Sequence, residues 1–267
     1  MSDPDSARFL RGDVVVIHQT VVDPAEDNVD DVDAWWTTVD LPWQLELPGY
    51  MRARRYSSKP RSEYNDSRTY MALYEVTTLE AALAPRKTPI PGTQDHLPSV
   101  TRMEHWALSV LCSQPWTADV YKPQLGNCMA MLVFDYSSLN SKYTEEELLE
   151  HITKSEAVQV VSSHVVLSFR LLRNPRATTE ADDRIDYENV QEPQKLHEPQ
   201  YVTLVEFAVP DGLESPIIMH TVQELTNRIG LLGGVLFAFQ TFRLICSMDA
   251  DICPGTGEAV VASIETA

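Results

Sequence analysis

Hydrophobic and polar positions alternate along this chain with two periods, and the switch from one to the other marks its elements. "DVVVIHQTVV" (13–22) is a continuous β-branched run, the pattern of a central strand buried on both faces. "NVDDVDAWWTTVDLPWQLEL" (28–47) carries acids in its first turn and apolar residues at helical spacing, Val32, Trp35, Trp36 and Val39, before Pro42 and Pro48 break it. "YMRARRY" (50–56) and "TYMALYEV" (69–76) predict two strands, "LEAALAP" (79–85) a short helix, and "RMEHWALSVLC" (102–112) a fourth strand. The order then restarts. "NCMAMLVFDYS" (127–137) predicts a strand and "TEEELLEHITKS" (144–155) a helix, opened by a Thr144–Glu147 capping box. Strands follow over 162–172 and 200–209, separated by a charged surface linker (176–199). A helix over 215–230, with Pro216 near its start and Gly230 at its end, and a strand over 235–248 complete the pattern.

Each half reads β-α-β-β-α-β, the split ferredoxin-like unit. "YMALYEV" and "YVTLVEF" echo one another, with Tyr70, Leu73 and Glu75 matching Tyr201, Leu204 and Glu206 at one constant offset. A ferredoxin-like half carries helices on one sheet face only, so its other face has to be covered. The expected fold is therefore α+β: two ferredoxin-like repeats in one chain, packed on each other as an eight-stranded barrel. The repeats are expected over 13–118 and 119–248, between a flexible N-terminus (1–12) and a loose C-terminal tail (249–267).

Composition narrows the partners. Among 267 residues, 39 acidic against 21 basic side chains leave a net charge of −18. Such a surface repels phosphate backbones and anionic lipid, which argues against nucleic acid and membrane surfaces. Cys112, Cys128, Cys246 and Cys253 show no C-x-x-C spacing, so a zinc site is not expected and the thiols read as reduced. No apolar run approaches the ~18–20 residues of a membrane helix. The expectation is a soluble cytoplasmic protein, monomer or homodimer.

The stretch "DVDAWWTTVDLPWQLELPGYMRARRY", followed by "YMALYEV", resembles the first repeat of the tandem fungal and bacterial proteins of the dimeric α/β-barrel (EthD-like) superfamily. Trp35, Pro42, Pro48, Gly49, Arg55, Tyr56, Ala72, Leu73, Tyr74 and Glu75 stand on matching positions. The match covers roughly residues 13–80; the second half matches mainly in its order of elements. The resemblance implies cofactor-free chemistry on small, mostly aromatic or polyketide-like molecules: cyclases, decarboxylases, dehydratases, isomerases and simple monooxygenases, with a minority that bind haem. It also implies a ligand cavity between helices and sheet, and in fungal members a place in secondary metabolism. Asp40 departs from the pattern, since relatives keep a histidine there and an acid where Val39 stands.

Asp40 reads either as a general base, desolvated by Trp36 and Trp43 with its pKa raised, or as the partner of Arg52, Arg54 or Arg55. His18 interrupts an apolar strand and needs a polar partner there. His105 and His164 stand on strands, and His220 lies mid-helix where it could face inward; His96, His151 and His197 sit in loop or surface-helix contexts. Tyr56 and Tyr74 can donate to a carbonyl or anchor packing. Arg52 and Arg54 share one strand face and Arg55 the other, with Glu75 an internal partner. Trp35, Trp36, Trp43, Trp106 and Trp116 serve as core or as the wall of an apolar ligand site. Met129, Met131 and Met219 serve as core or as a plastic lining. No nucleophile elbow, phosphate loop or metal cluster is present in the sequence.

The functional expectation is a cofactor-free, metal-free cyclase, isomerase or lyase of natural-product biosynthesis, acting on a small apolar polyketide- or terpene-like substrate. Asp40, His18, Tyr56 and His105 are its catalytic candidates; Trp36, Trp43, Arg55, Tyr74 and Trp106 would bind the substrate. Proton transfer and shape-driven (Diels–Alder type) cyclisation stand side by side as mechanisms. The alternatives are a non-catalytic binding protein with a degenerate site, and a haem enzyme using His105, His164 or His220.

Overall fold

The computed structural model describes residues 12–22, 33–58, 68–85, 100–115, 126–162, 165–175, 198–209 and 212–250. Eight strands form in it: β1 (Val14–Val22), β2 (Tyr50–Ser57), β3 (Arg68–Val76), β4 (Val100–Pro115), β5 (Cys128–Tyr136), β6 (Val166–Arg173), β7 (Tyr201–Phe207) and β8 (Gly234–Asp249). Four helical runs accompany them: α1 (33–45), α2 (Leu79–Leu83), α3 (145–161) and α4 (Pro216–Leu231). The architecture is α+β with antiparallel strand pairing.

The chain divides into two compact units. The first comprises the described residues 12–108 and 244–250, the second 109–175 and 198–243. In the first, β3 lies between β1 and β2, with the start of β4 beside β1 and the end of β8 beside β2. In the second, β7 lies between β5 and β6, β8 pairs with β5, and β4 pairs with β6. The two longest strands thus each serve both units, β4 changing over at Leu108/Ser109 and β8 at Arg243/Leu244.

Each unit has its own core on one sheet face. Val14, Val16, Val22, Tyr70, Ala72, Tyr74 and Val76 meet Trp35, Trp36, Leu41 and Leu45 of α1 in the first. Cys128, Ala130, Leu132, Phe134 and Val205 meet Leu148, Ile152, Val161, Ile218, Val222 and Leu225 of α3 and α4 in the second. Burying one such side chain contributes about 1.5–3 kcal/mol, so these faces dominate the stability of each unit.

α1 and α3 share an unusual feature. Both are α-helical at their ends and π-helical in the middle, over Trp36–Asp40 and Ile152–Glu156. A π turn takes in an extra residue and displaces the buried stripe. In α1 the buried positions run Trp35, Trp36, then Asp40, Leu41, then Gln44, Leu45. Val39, expected inside, is only half-buried, and Asp40 takes the inward place. The Thr37 hydroxyl donates to the Asp33 carbonyl at 3.1 Å, and the Thr153 hydroxyl to the Leu149 carbonyl at 2.8 Å. Such i−4 bonds compete with the backbone ladder and bend a helix, a local cause for the wider turn.

Most expected elements form where their patterns place them. The Thr144 capping box is present in both directions. The strand expected from 162 begins at Val166, because the π turn carries α3 on to Val161 with Ser162 as its cap. β4 is longer than expected, and β8 runs to Asp249, the first residue assigned to the tail. The 176–197 part of the linker and the residues from 251 lie outside the described residues.

Candidate functional site

The first unit concentrates polar groups between α1 and its sheet. Asp40 is 2% exposed and lies at the π-to-α junction. The Tyr74 hydroxyl donates to Asp40 Oδ2 at 3.0 Å, and Gln44 Nε2, four residues along the helix, donates to Asp40 Oδ1 at 3.3 Å. Both carboxylate oxygens are thereby oriented. Tyr74 lies two residues before the end of β3, on the face that meets α1.

His18 joins this cluster by strand parity, since Val14, Val16 and Val22 share its face. Its ring meets Tyr74 edge-on at 5.1 Å and the His105 ring at 4.5 Å, tilted by 52°. Tyr50 packs edge-on against Tyr74 at 5.7 Å. Asp40, Gln44, Tyr74, His18 and His105 therefore form one contiguous group. They come from a helix and three strands that lie far apart in sequence.

Arg55 fastens α1 to the sheet. Its Nη1 pairs with Asp33 Oδ1 at 2.5 Å and donates to the Asp33 carbonyl and the Thr37 hydroxyl. Its guanidinium lies 4.7 Å from the Tyr70 ring centre and 5.9 Å from that of Trp36, a cation–π sandwich. Cys246 lies nearby, its thiol pushed up by burial.

Arg52, Arg54 and Tyr56 occupy the opposite face of β2, as the strand period requires. Tyr56 is fully buried beside Met71, so the structure separates it from Asp40, His18 and His105. Arg52 pairs with Glu75 at 3.4 Å and with Asp249 at 2.9 Å; burial pushes its guanidinium down and Glu75 partly offsets this. Trp36 is core and Trp43 is half-buried against it. Trp106 is half-buried and, by alternation from His105 and Ala107, points to the other sheet face.

Two expectations are corrected. His220 is 74% exposed and pairs only loosely with Glu224, at 3.9 Å, because it lies on the helix face away from Ile218 and Val222; it does not face inward. Met219 is 49% exposed, whereas Met129 and Met131 are buried. Trp116, His96, His164 and His197 lie outside the described residues. Gln44 escaped notice in the sequence: its only signal was the i+4 spacing from Asp40.

Of the three imidazoles named as haem ligands, His220 is on the surface, the His105 ring packs beside His18, and His164 lies outside the described residues. Among the described residues no group of three or more His, Cys, Asp or Glu side chains is arranged to hold a metal ion. No described helix is long and apolar enough to cross a membrane.

No protein-family model matches the chain, and no curated protein matches it in sequence. Solved structures do. An anthrone oxidase-like protein superposes with a TM-score of 0.54 at 12% identity, over 92% of this chain and 95% of that one. The fold is of the dimeric α/β-barrel kind. A monooxygenase candidate from Fusobacterium nucleatum gives 0.48 at 11% identity, covering 88% of this chain and 92% of the other. A chlorite dismutase from Candidatus Nitrospira defluvii gives 0.44 at 10%, covering 90% and 95%. At such identities the likeness is one of fold.

Proposed function

We propose that the chain is a cofactor-independent enzyme of the cyclase, isomerase or lyase type. It moves a proton on a small apolar, aromatic or polyketide-like molecule, with Asp40 as the base. On this reading the chain is an intrachain pseudo-dimer of two ferredoxin-like repeats (13–118 and 119–248), akin to EthD-like proteins of fungal secondary metabolism and working in the cytoplasm.

One observation carries the proposal. The second unit builds a similar helix–sheet packing that keeps an acid, Glu156, at the end of its π segment but has apolar side chains where the first has Tyr74 and His18. Cys128 aligns with Val14 through the partners Phe207 and Val76, which sets Leu132 at the place of His18 and Val205 at the place of Tyr74. The fold therefore does not require a tyrosine and a histidine there. Burying polar groups costs free energy unless they are satisfied, so their presence in the first unit points to use.

The chemistry follows from the groups. A C–H bond next to a conjugated carbonyl breaks, its proton passes to the Asp40 carboxylate, and the electron pair moves to the carbonyl oxygen. Tyr74 and Gln44 hold the carboxylate in position, and an imidazole N–H of the His18–His105 pair donates to the developing enolate. Reprotonation at another carbon gives isomerisation, attack on a second carbonyl gives cyclisation, and loss of a β-leaving group gives elimination. Trp36, Trp43, Tyr50 and Tyr70 supply aromatic surface, and Arg55 keeps α1 in place over it.

Anthrone, the carbon acid that a structurally similar protein is named for, is a suitable first probe. Its methylene protons should exchange with D2O faster in the presence of the protein, as read by proton NMR. Asp40→Asn should reduce that acceleration by about 10²-fold or more. Equal exchange by the variant would remove the base and favour shape-driven cyclisation. Binding without any exchange in the wild type would favour a non-catalytic binder.

A further inference from the structure

We infer that Gln44 selects substrates carrying a hydroxyl group beside the reacting carbon, a phenol or enol. This deepens the proton-transfer reading and rests on it. Gln44 is fully buried. Its amide nitrogen faces Asp40 Oδ1, as it must, because a carboxylate oxygen only accepts. The amide oxygen is thereby turned away from Asp40. Oε1 is buried and has no hydrogen-bond partner among the described residues.

A buried acceptor left without a donor is unfavourable, and native structures keep few of them without a reason. Oε1 and the nitrogen that meets Asp40 are bonded to the same amide carbon, so a donor reaching Oε1 sits near the carboxylate that takes the proton. A hydroxyl adjacent to the acidic C–H meets both requirements in one rigid molecule. An ether at the same place has no proton to give and leaves Oε1 stranded. This asymmetry is the kind that yields strong discrimination, since the rejected analogue leaves a buried polar group unpaired.

The test compares an anthrone whose hydroxyl is peri to the methylene carbon with its methyl ether, binding being followed by quenching of tryptophan fluorescence. The wild type should bind the hydroxyl compound about 10–100-fold more tightly than the ether. Gln44→Met, equal in length and lacking the acceptor, should bring the ratio close to one. A ratio unchanged in Gln44→Met would overturn the inference. So would a wild type without preference, which would mean that a buried water or a protein donor satisfies Oε1. Should Gln44→Met fail to fold by circular dichroism, the wild-type ratio decides by itself. Binding is read without turnover, so a failed Asp40→Asn exchange assay and a failed Gln44 preference are separate results.

Discussion

Where the first unit buries Asp40, Tyr74 and His18 between helix and sheet, the second buries Glu156, Val205 and Leu132. The backbones share two local features. Both helices carry a five-residue π segment ending in a buried acid. β2 and β3 shift register between Tyr50 and Arg52, and β6 and β7 between Val166 and Ser168, one residue being left out of the ladder each time. The side chains then diverge. Arg228 of α4 pairs with Glu156 at 2.6 Å and also reaches Gln159, an ion pair between two helices of the same unit. The first unit has only the five-residue α2 where the second has the sixteen-residue α4. Its acid accepts hydrogen bonds from a phenol and an amide, Tyr74 and Gln44.

The other sheet face repeats the lesson. Glu75 meets Arg52, while its counterpart Glu206 accepts from the Ser168 hydroxyl at 3.0 Å and from the Gly126 N–H at 3.1 Å, with Arg170 at 3.9 Å. The units thus solve one problem, a buried glutamate on the central strand, with different partners.

The most damaging way to press this comparison is to give the first unit the second unit's solution. Arg52→Ser removes the cation from Glu75 and Asp249 and should destabilise the protein by about 3–5 kcal/mol, read from urea unfolding. A loss below 1 kcal/mol would show that Glu75 is well served without Arg52. Asp40→Asn should come next, costing about 10²-fold in proton exchange while moving the unfolding midpoint little. Glu156→Gln should do the reverse. It should cost about 1–2 kcal/mol, since Arg228 is one third exposed and partly solvated, and leave exchange per folded molecule unchanged. Loss of exchange in Glu156→Gln would place chemistry in the second unit and break the contrast.

The smallest effect is one of pH. Burial pushes the Cys128 thiol from 9.0 up to about 11, with Arg243 opposing. A thiol raised on folding favours the native state fully below pH 9.0, and that contribution is lost as pH rises towards 11. The thiol should resist alkylation at pH 8 in the native protein and react on unfolding, as mass spectrometry of the labelled peptide would show.

Much of this was legible in the chain. β-branched runs and period-two alternation marked the strands, the Thr144–Glu147 pair marked α3, and the Tyr-x-x-Leu-x-Glu echo falls on β3 and β7, each lying between two other strands. The opposite facing of Arg52 and Arg55 followed from strand geometry alone. These features are local, and local propensity and periodicity are what a sequence encodes directly. Tertiary structure decided the rest. In α1, with its π turn, it is Asp40 and not Val39 that is buried, a choice between i+3 and i+4 from Trp36 that helical periodicity leaves open. His18, Tyr74 and His105 meet because β1, β3 and the start of β4 share a sheet, and Tyr56 is excluded by the parity of β2. His220 faces water because the buried apolar positions of its helix lie on the other face. Periodicity tells which face a residue occupies; only the pairing of distant strands and the pitch of the helix decide what it meets there.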